Sequence, residues 1–182
     1  MLAVLPAPFL GPVPLPPNVN WWLDATSFTG RMESPYDYDL RWLGGLPSRL
    51  SGTQAARPLP HAVLSFPAID FSTTHVVVQC EGLPWEILIH AEAGYLTVGH
   101  VLDGIHRLLM QPITPNEWRA IGQYGHDELT WEALQVRCRE SPYNTTADAF
   151  VPKRIDYLGR NCLFGGLVMG GDGKLLLKTL QV

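Results

Sequence analysis

The chain is short of charge, short of cysteine and without any long apolar run, and each shortage excludes something. Asp, Glu, Lys and Arg make up only 16% of the 182 residues, and the net charge is −4. Binding to a phosphate backbone needs a basic stripe, but here the basic residues are scattered, with small clusters only at Lys153–Arg154 and Arg137/Arg139. Nucleic acid is therefore not an expected partner. The three cysteines, Cys80, Cys138 and Cys162, form no CxxC pair and no metal-ligand spacing. An odd number of thiols suits a reducing compartment, where they pack as small hydrophobes, so the cytoplasm is expected, with the nucleus left open. No apolar stretch approaches the ~20 residues of a membrane span, and prolines interrupt the opening "MLAVLPAPFLGPVPLPP" before it becomes a signal-peptide core. Asn144-Thr145-Thr146 spells a glycosylation sequon, but without a secretory signal it is expected to stay bare.

Proline, by contrast, is abundant and unevenly placed. Ten of the sixteen prolines precede residue 61. Proline fixes φ and removes a backbone donor, so residues 1–20 are expected to form an extended, polyproline-like arm. That arm also carries Leu2, Val4, Leu5, Phe9, Leu10, Val13 and Leu15, too apolar for a freely solvated linker. It is expected to lie against the domain or a neighbouring copy. Residues 1–35 then read as arm and lead-in, and residues 36–182 as one domain, large enough to bury roughly 70% of its unfolded surface.

Within the domain the apolar period changes twice. "YDYDLRWL" places Tyr36, Tyr38, Leu40 and Trp42 on one strand face and Asp37, Asp39 and Arg41 on a wet one. "HVVVQC" (75–80) is nearly continuous and β-branched, as in a central strand. "WEILIHA" (85–91) alternates Trp85, Ile87 and Ile89 against Glu86, Leu88 and His90, with a hairpin-length connection between the two. The period then becomes helical. Val98, Val101, Leu102, Ile105, Leu108 and Leu109 make one stripe after a Thr97 cap, and Pro112 stops it. "TPNE" at 114–117 is a capping box with proline at the first helical position. A third helix is expected over about 127–140, carrying Leu129, Trp131, Leu134 and Cys138. "KRIDYL", "CLFGGLVM" and "KLLLKTLQ" return to strand character, the last two joined by a glycine-rich turn at 170–174. The order strands, helices, strands predicts an α+β fold: a single antiparallel sheet of five or six strands with two or three helices on one face.

Chemistry is sparse. "MGGDGKLL" lacks the spacing, the Ser or Thr and the following helix of a phosphate loop, and reads as a turn. His100, Asp103 and His106 share a helix, but the two histidines point about 120° apart, so no metal site is expected; Asp103 and Arg107 form an i,i+4 pair instead. No GxSxG, HExxH, DFG or GxGxxG occurs, and no cofactor is expected. Glu86 and His90 share a strand face, where a carboxylate can orient a general base. Cys138 sits between two arginines, which can favour a thiolate. A small hydrolase or isomerase using Glu86 with His90, or Cys138 with a histidine, in a pocket beside Trp85 is the alternative to the bland reading of these residues. Trp21, Trp22, Tyr36, Tyr38 and Trp42 are expected to include exposed members that contact a protein partner, because such rings bury much area at low entropic cost.

Several of these segments together resemble an uncharacterised domain family of mushroom-forming fungi, DUF6699. They are Tyr38–Leu40, Leu83-Pro84-Trp85, Thr97-Val98, Glu117-Trp118, Arg137 or Arg139, Arg154–Gly159 and Phe164–Leu167. His100 departs from the pattern, in which an aspartate more usually follows the Thr-Val step. The resemblance spans roughly residues 36–180 and implies the domain's extent and a fungal origin; it implies no activity. The expectation is a non-enzymatic binding or scaffold module that contacts a protein or another copy of itself, with a small-molecule ligand left open.

Overall fold

A computed structural model describes residues 19–20, 23–24, 38–41, 60–69, 72–80, 83–91, 94–123, 127–140 and 150–181. Residues 1–18 of the proline-rich arm, Trp21, Trp22, Tyr36, Trp42 and the Asn144 sequon lie outside the described residues. After a single helical turn, α1 (His61–Leu64), come β1 (His75–Cys80) and β2 (Glu86–His90). Three helices follow: α2 (Val98–Leu109), α3 (Pro115–Gln123) and α4 (Asp127–Glu140). A 3₁₀ helix (Arg154–Leu158) leads to β3 (Leu163–Met169) and β4 (Leu175–Leu180).

The four strands form one sheet in the order β2-β1-β4-β3. β1 pairs antiparallel with β2, opposing His75 to His90 and Gln79 to Glu86. β3 and β4 also pair antiparallel, through the turn in which Asp172 Oδ1 accepts the Lys174 N–H at 3.1 Å. β1 and β4, however, run parallel, Val78 beside Leu175. The α+β class therefore holds, but the sheet is mixed and four-stranded rather than antiparallel with five or six strands. Parallel neighbours require a long crossover. The three helices supply it by carrying the chain to the free side of β1.

Two segments with strand periodicity turn out not to be strands. In "KRIDYL" the Asp156 carboxylate accepts the Lys153 N–H at 2.8 Å, which tightens the backbone into the 3₁₀ turn. Ile155 and Leu158, three apart, are both buried, as that period requires. Of "YDYDLRWL" residues 38–41 are described, and there Asp39 Oδ1 accepts the Arg41 N–H at 2.9 Å and turns the chain, with a single bridge from Asp39 to Leu163. The face expected to be wet is buried: Asp39 and Arg41 are both enclosed, as are Tyr38 and Leu40.

The core lies between one sheet face and α2. Val76, Val78, Cys80, Ile87, Ile89, Leu175 and Leu177 meet Val98, Val101, Leu102, Ile105 and Leu109, each worth roughly 1.5–3 kcal/mol when withdrawn from water. Gly104 permits the approach, since a Cβ there would stand 2.9 Å from Ile89 Cγ1. Thr97 caps α2 as expected, with His100 completing a capping box. The other two long helices do not share this position: α4 packs on the 3₁₀ helix and on α3. The opposite sheet face carries Glu86, Leu88 and His90 outward, with Leu88 56% exposed.

Candidate functional site

Helix α4 is held from beneath by charge. Arg137, 3% exposed, donates from Nε to Asp156 Oδ1 at 2.7 Å and from Nη2 to Asp156 Oδ2 at 2.9 Å and the Val151 carbonyl at 3.0 Å. At its last residue, Glu140 Oε2 lies 2.8 Å from Arg41 Nη1. Arg41 in turn grips Asp39 through Nε and Nη2. Burial alone would discourage the Arg41 charge, but the hydrogen bonds and charge of Asp39, with help from Glu140, hold its pKa above the ordinary arginine value.

Anchored this way, α4 buries Thr130, Leu134, Arg137 and Cys138 and turns Leu129 and Trp131 outward, 55% and 48% exposed. Trp131 leans edge-on against Trp118 of α3, ring centres 5.4 Å apart. Phe150, 61% exposed, shares with Trp131 the lining of an open groove of about 520 Å³, together with Leu134, Gln135, Cys138 and Arg139. The floor is apolar, and Gln135 and Arg139 supply the polar margin. Among the described residues the lining includes no histidine and no carboxylate.

Elsewhere the candidate catalytic residues are kept apart. Glu86 and His90 stand four residues apart along β2, about 13 Å at the strand's rise. Glu86 is ion-paired with Lys174 Nζ at 2.7 Å, while His90 stacks on His75 with ring centres at 5.8 Å. Cys138 lies in the groove floor. Cys162 is buried beside Asp39; desolvation, then the neighbouring carboxylate, push its thiol up to about 12, so it is protonated at neutral pH. Around Trp85 the Arg154 guanidinium stands 5.2 Å above the ring and Tyr157 presents its edge at 5.7 Å. Arg154 is itself fixed by Glu117 at 2.8 Å and Gln111 at 2.6 Å. The helix histidines are likewise occupied locally. His100 serves the α2 capping box, Asp103 pairs with Arg107 at 2.8 Å, and His106 Nδ1 lies 2.9 Å from the Leu40 carbonyl. Among the described residues no cluster of three His, Cys, Asp or Glu side chains is arranged to hold a metal, and no helix is long and apolar enough to cross a membrane.

Of the aromatics expected at a surface, Tyr38 is described, and it is a core residue, 7% exposed with its ring edge-on to Phe164. Among the described residues the exposed rings are instead Trp131, on the helix expected over 127–140, with Phe150 and Phe66, for which the sequence offers no expectation. The outward turn of Leu88, in contrast, follows from the alternation in "EILIH".

A family profile described as "Family of unknown function (DUF6699)" matches residues 37–173. No curated protein and no solved structure matches the chain.

Proposed function

The chain belongs to the DUF6699 family, and from that footing we propose that it is a non-catalytic protein-interaction module whose docking surface is the groove along α4. The observation that carries this reading is the exposure of Trp131 and Phe150 in the lining of one mostly apolar groove. Large rings at the rim of a water-accessible apolar trough are the usual anchors of protein recognition. The partner is a protein segment that inserts apolar side chains between the two rings, with Gln135 and Arg139 able to bond its backbone. The separate engagement of Glu86, His90 and Cys138 supports binding over catalysis, which needs polar groups convergent in one pocket. The three cysteines form no disulfide, which supports a reducing compartment of the cell, and the family resemblance supports a fungal source.

The test compares proteins captured from native extract by the intact chain and by Trp131→Ala/Phe150→Ala. Phe150 is largely exposed, while Trp131 is half-buried against Trp118, so circular dichroism first checks that the variant is folded at the capture temperature. A defined subset of captured proteins should be lost with the two rings. Identical captures by both chains would refute the proposal.

A further inference from the structure

We propose that two copies of the chain join through β2, antiparallel about Leu88, so that two four-stranded sheets become one. This shares the premise that the domain works by binding protein, but it rests on a different surface from the α4 groove.

β2 is an edge strand, with β1 on one side and no described residue paired to the other. Natural edges are blunted by charge, proline or a bulge; "EILIH" has no proline and no bulge, and its one carboxylate, Glu86, stands at the strand's first residue and is already paired with Lys174. The direction of its free backbone groups can be read from the hairpin. Ala91 N–H donates to the Thr74 carbonyl at 2.8 Å, one step beyond the His75–His90 pair. Bonding alternates along an antiparallel ladder. Ala91, Ile89 and Ile87 therefore turn their N–H and C=O groups toward β1, and His90, Leu88 and Glu86 turn theirs outward. The outward set is the same set whose side chains occupy the open sheet face.

A second β2 can satisfy this edge only in registers that oppose outward residues to outward residues. Of these, the register centred on Leu88 is self-complementary. Leu88 meets Leu88 of the second copy, and Glu86 meets its His90 twice over, once on each side of the axis. On the covered face Ile87 meets Ile89. Sliding by one pair would oppose Glu86 or His90 to Leu88 instead. The Glu86 carboxylate, already within 2.7 Å of Lys174, can also accept the His90 imidazole N–H of the second copy. Leu88, at 56% exposure the largest apolar side chain on the strand's open face, becomes covered on the two-fold axis. Such an isologous contact closes on itself and gives a dimer, not a filament.

A five-residue strand pair is smaller than the roughly 1,200–2,000 Å² of a standard stable interface, so association is concentration-dependent. Light scattering on the full chain, from about 10 μM to about 500 μM, should show the mass rising from one chain toward two. Leu88→Lys places like charges directly opposite on the axis, and Leu88→Pro deletes an outward N–H without touching the β1 ladder. Each should hold the chain at monomer mass across the range, and Leu129→Lys on α4 should associate like the parent. Circular dichroism confirms that the variants are folded, and Leu88→Lys decides alone if the proline variant is not. A parent chain that stays monomeric, or doubling that survives Leu88→Lys, overturns the proposal. So does doubling lost with Leu129→Lys instead. None of these results bears on the captures that depend on Trp131 and Phe150, so the two readings fail separately.

Discussion

At the scale of single residues, the buried charges contribute most to the positioning of α4. Arg137 and Asp156 are both nearly inaccessible and joined by two hydrogen bonds. Removing one member of such a pair leaves the other charged and desolvated, at a cost of about 3–5 kcal/mol. Asp156→Ala should lower stability by that amount in urea unfolding, and by more than Arg160→Ala, whose ion pair with Glu132 is exposed. Cys162 gives a prediction with a definite sign. Its folded pKa is raised, so stability is unaffected below the ordinary thiol value of 9.0 and falls as pH climbs from there toward about 12, because the unfolded chain ionises first. The slope is at most about 1.4 kcal/mol per pH unit. Cys162→Ala should be offset from the parent by a constant amount at lower pH, and that offset should change only in the alkaline window, as unfolding curves across pH will show. None of this was legible in the sequence. Alternation marks which residues share a face but not whether that face is covered, and so Asp39 and Arg41 read as solvated when they are buried.

At the scale of elements, local chemistry and structure largely agree. The Thr114–Glu117 box forms with both bonds, Thr114 N–H to Glu117 at 2.7 Å and Glu117 N–H to Thr114 at 3.3 Å. Burial opposes the Glu117 charge, but the two Thr114 bonds and Arg154 outweigh it and draw its pKa below the usual carboxylate range. Its contribution is thus complete at neutral pH and is lost as acid protonates it. Thr114→Ala should cost about 1 kcal/mol. Contact between elements is less forgiving. An alanine at 104 would gain about 1 kcal/mol of helix propensity, yet its Cβ would meet three carbons of Ile89 between 2.9 and 3.1 Å away. Ile89 is stiff at χ1, so α2 must retreat from the sheet, and overpacking of this kind costs about 1–3 kcal/mol. Gly104→Ala should therefore melt lower than the parent in a thermal scan, and Ile89→Val should not rescue it, because valine keeps the two γ carbons that stand closest. The helices and both hairpins were legible because caps, turns and apolar period agreed. "KRIDYL" was not, because a side-chain bond from Asp156 outcompeted a strand-like pattern that has no partner strand.

At the scale of the whole molecule, the parallel junction of β1 and β4 makes one sheet of two hairpins and leaves β2 and β3 at its margins. β3 is partly covered by single bridges from Asp24 and Asp39, whereas no described residue bridges to the outer edge of β2. If β2 joins a second copy, dimerisation stabilises the folded state by mass action. The thermal midpoint should then rise with protein concentration in the parent and stay constant in Leu88→Lys, which calorimetry at two concentrations will distinguish.

Sequence alone determined what depends on neighbours along the chain: helix starts and stops, hairpin turns, the buried stripe of α2 and the outward set Glu86, Leu88 and His90 on β2. Membership of the family was legible for the same reason, being carried by short local motifs. Tertiary structure alone decided the order and direction of the strands, the burial of Asp39 and Arg41, and the exposure of Trp131 and Phe150. These are set by contacts between residues far apart in the chain, and a pattern of polarity records the period of an element without naming the surface that covers it.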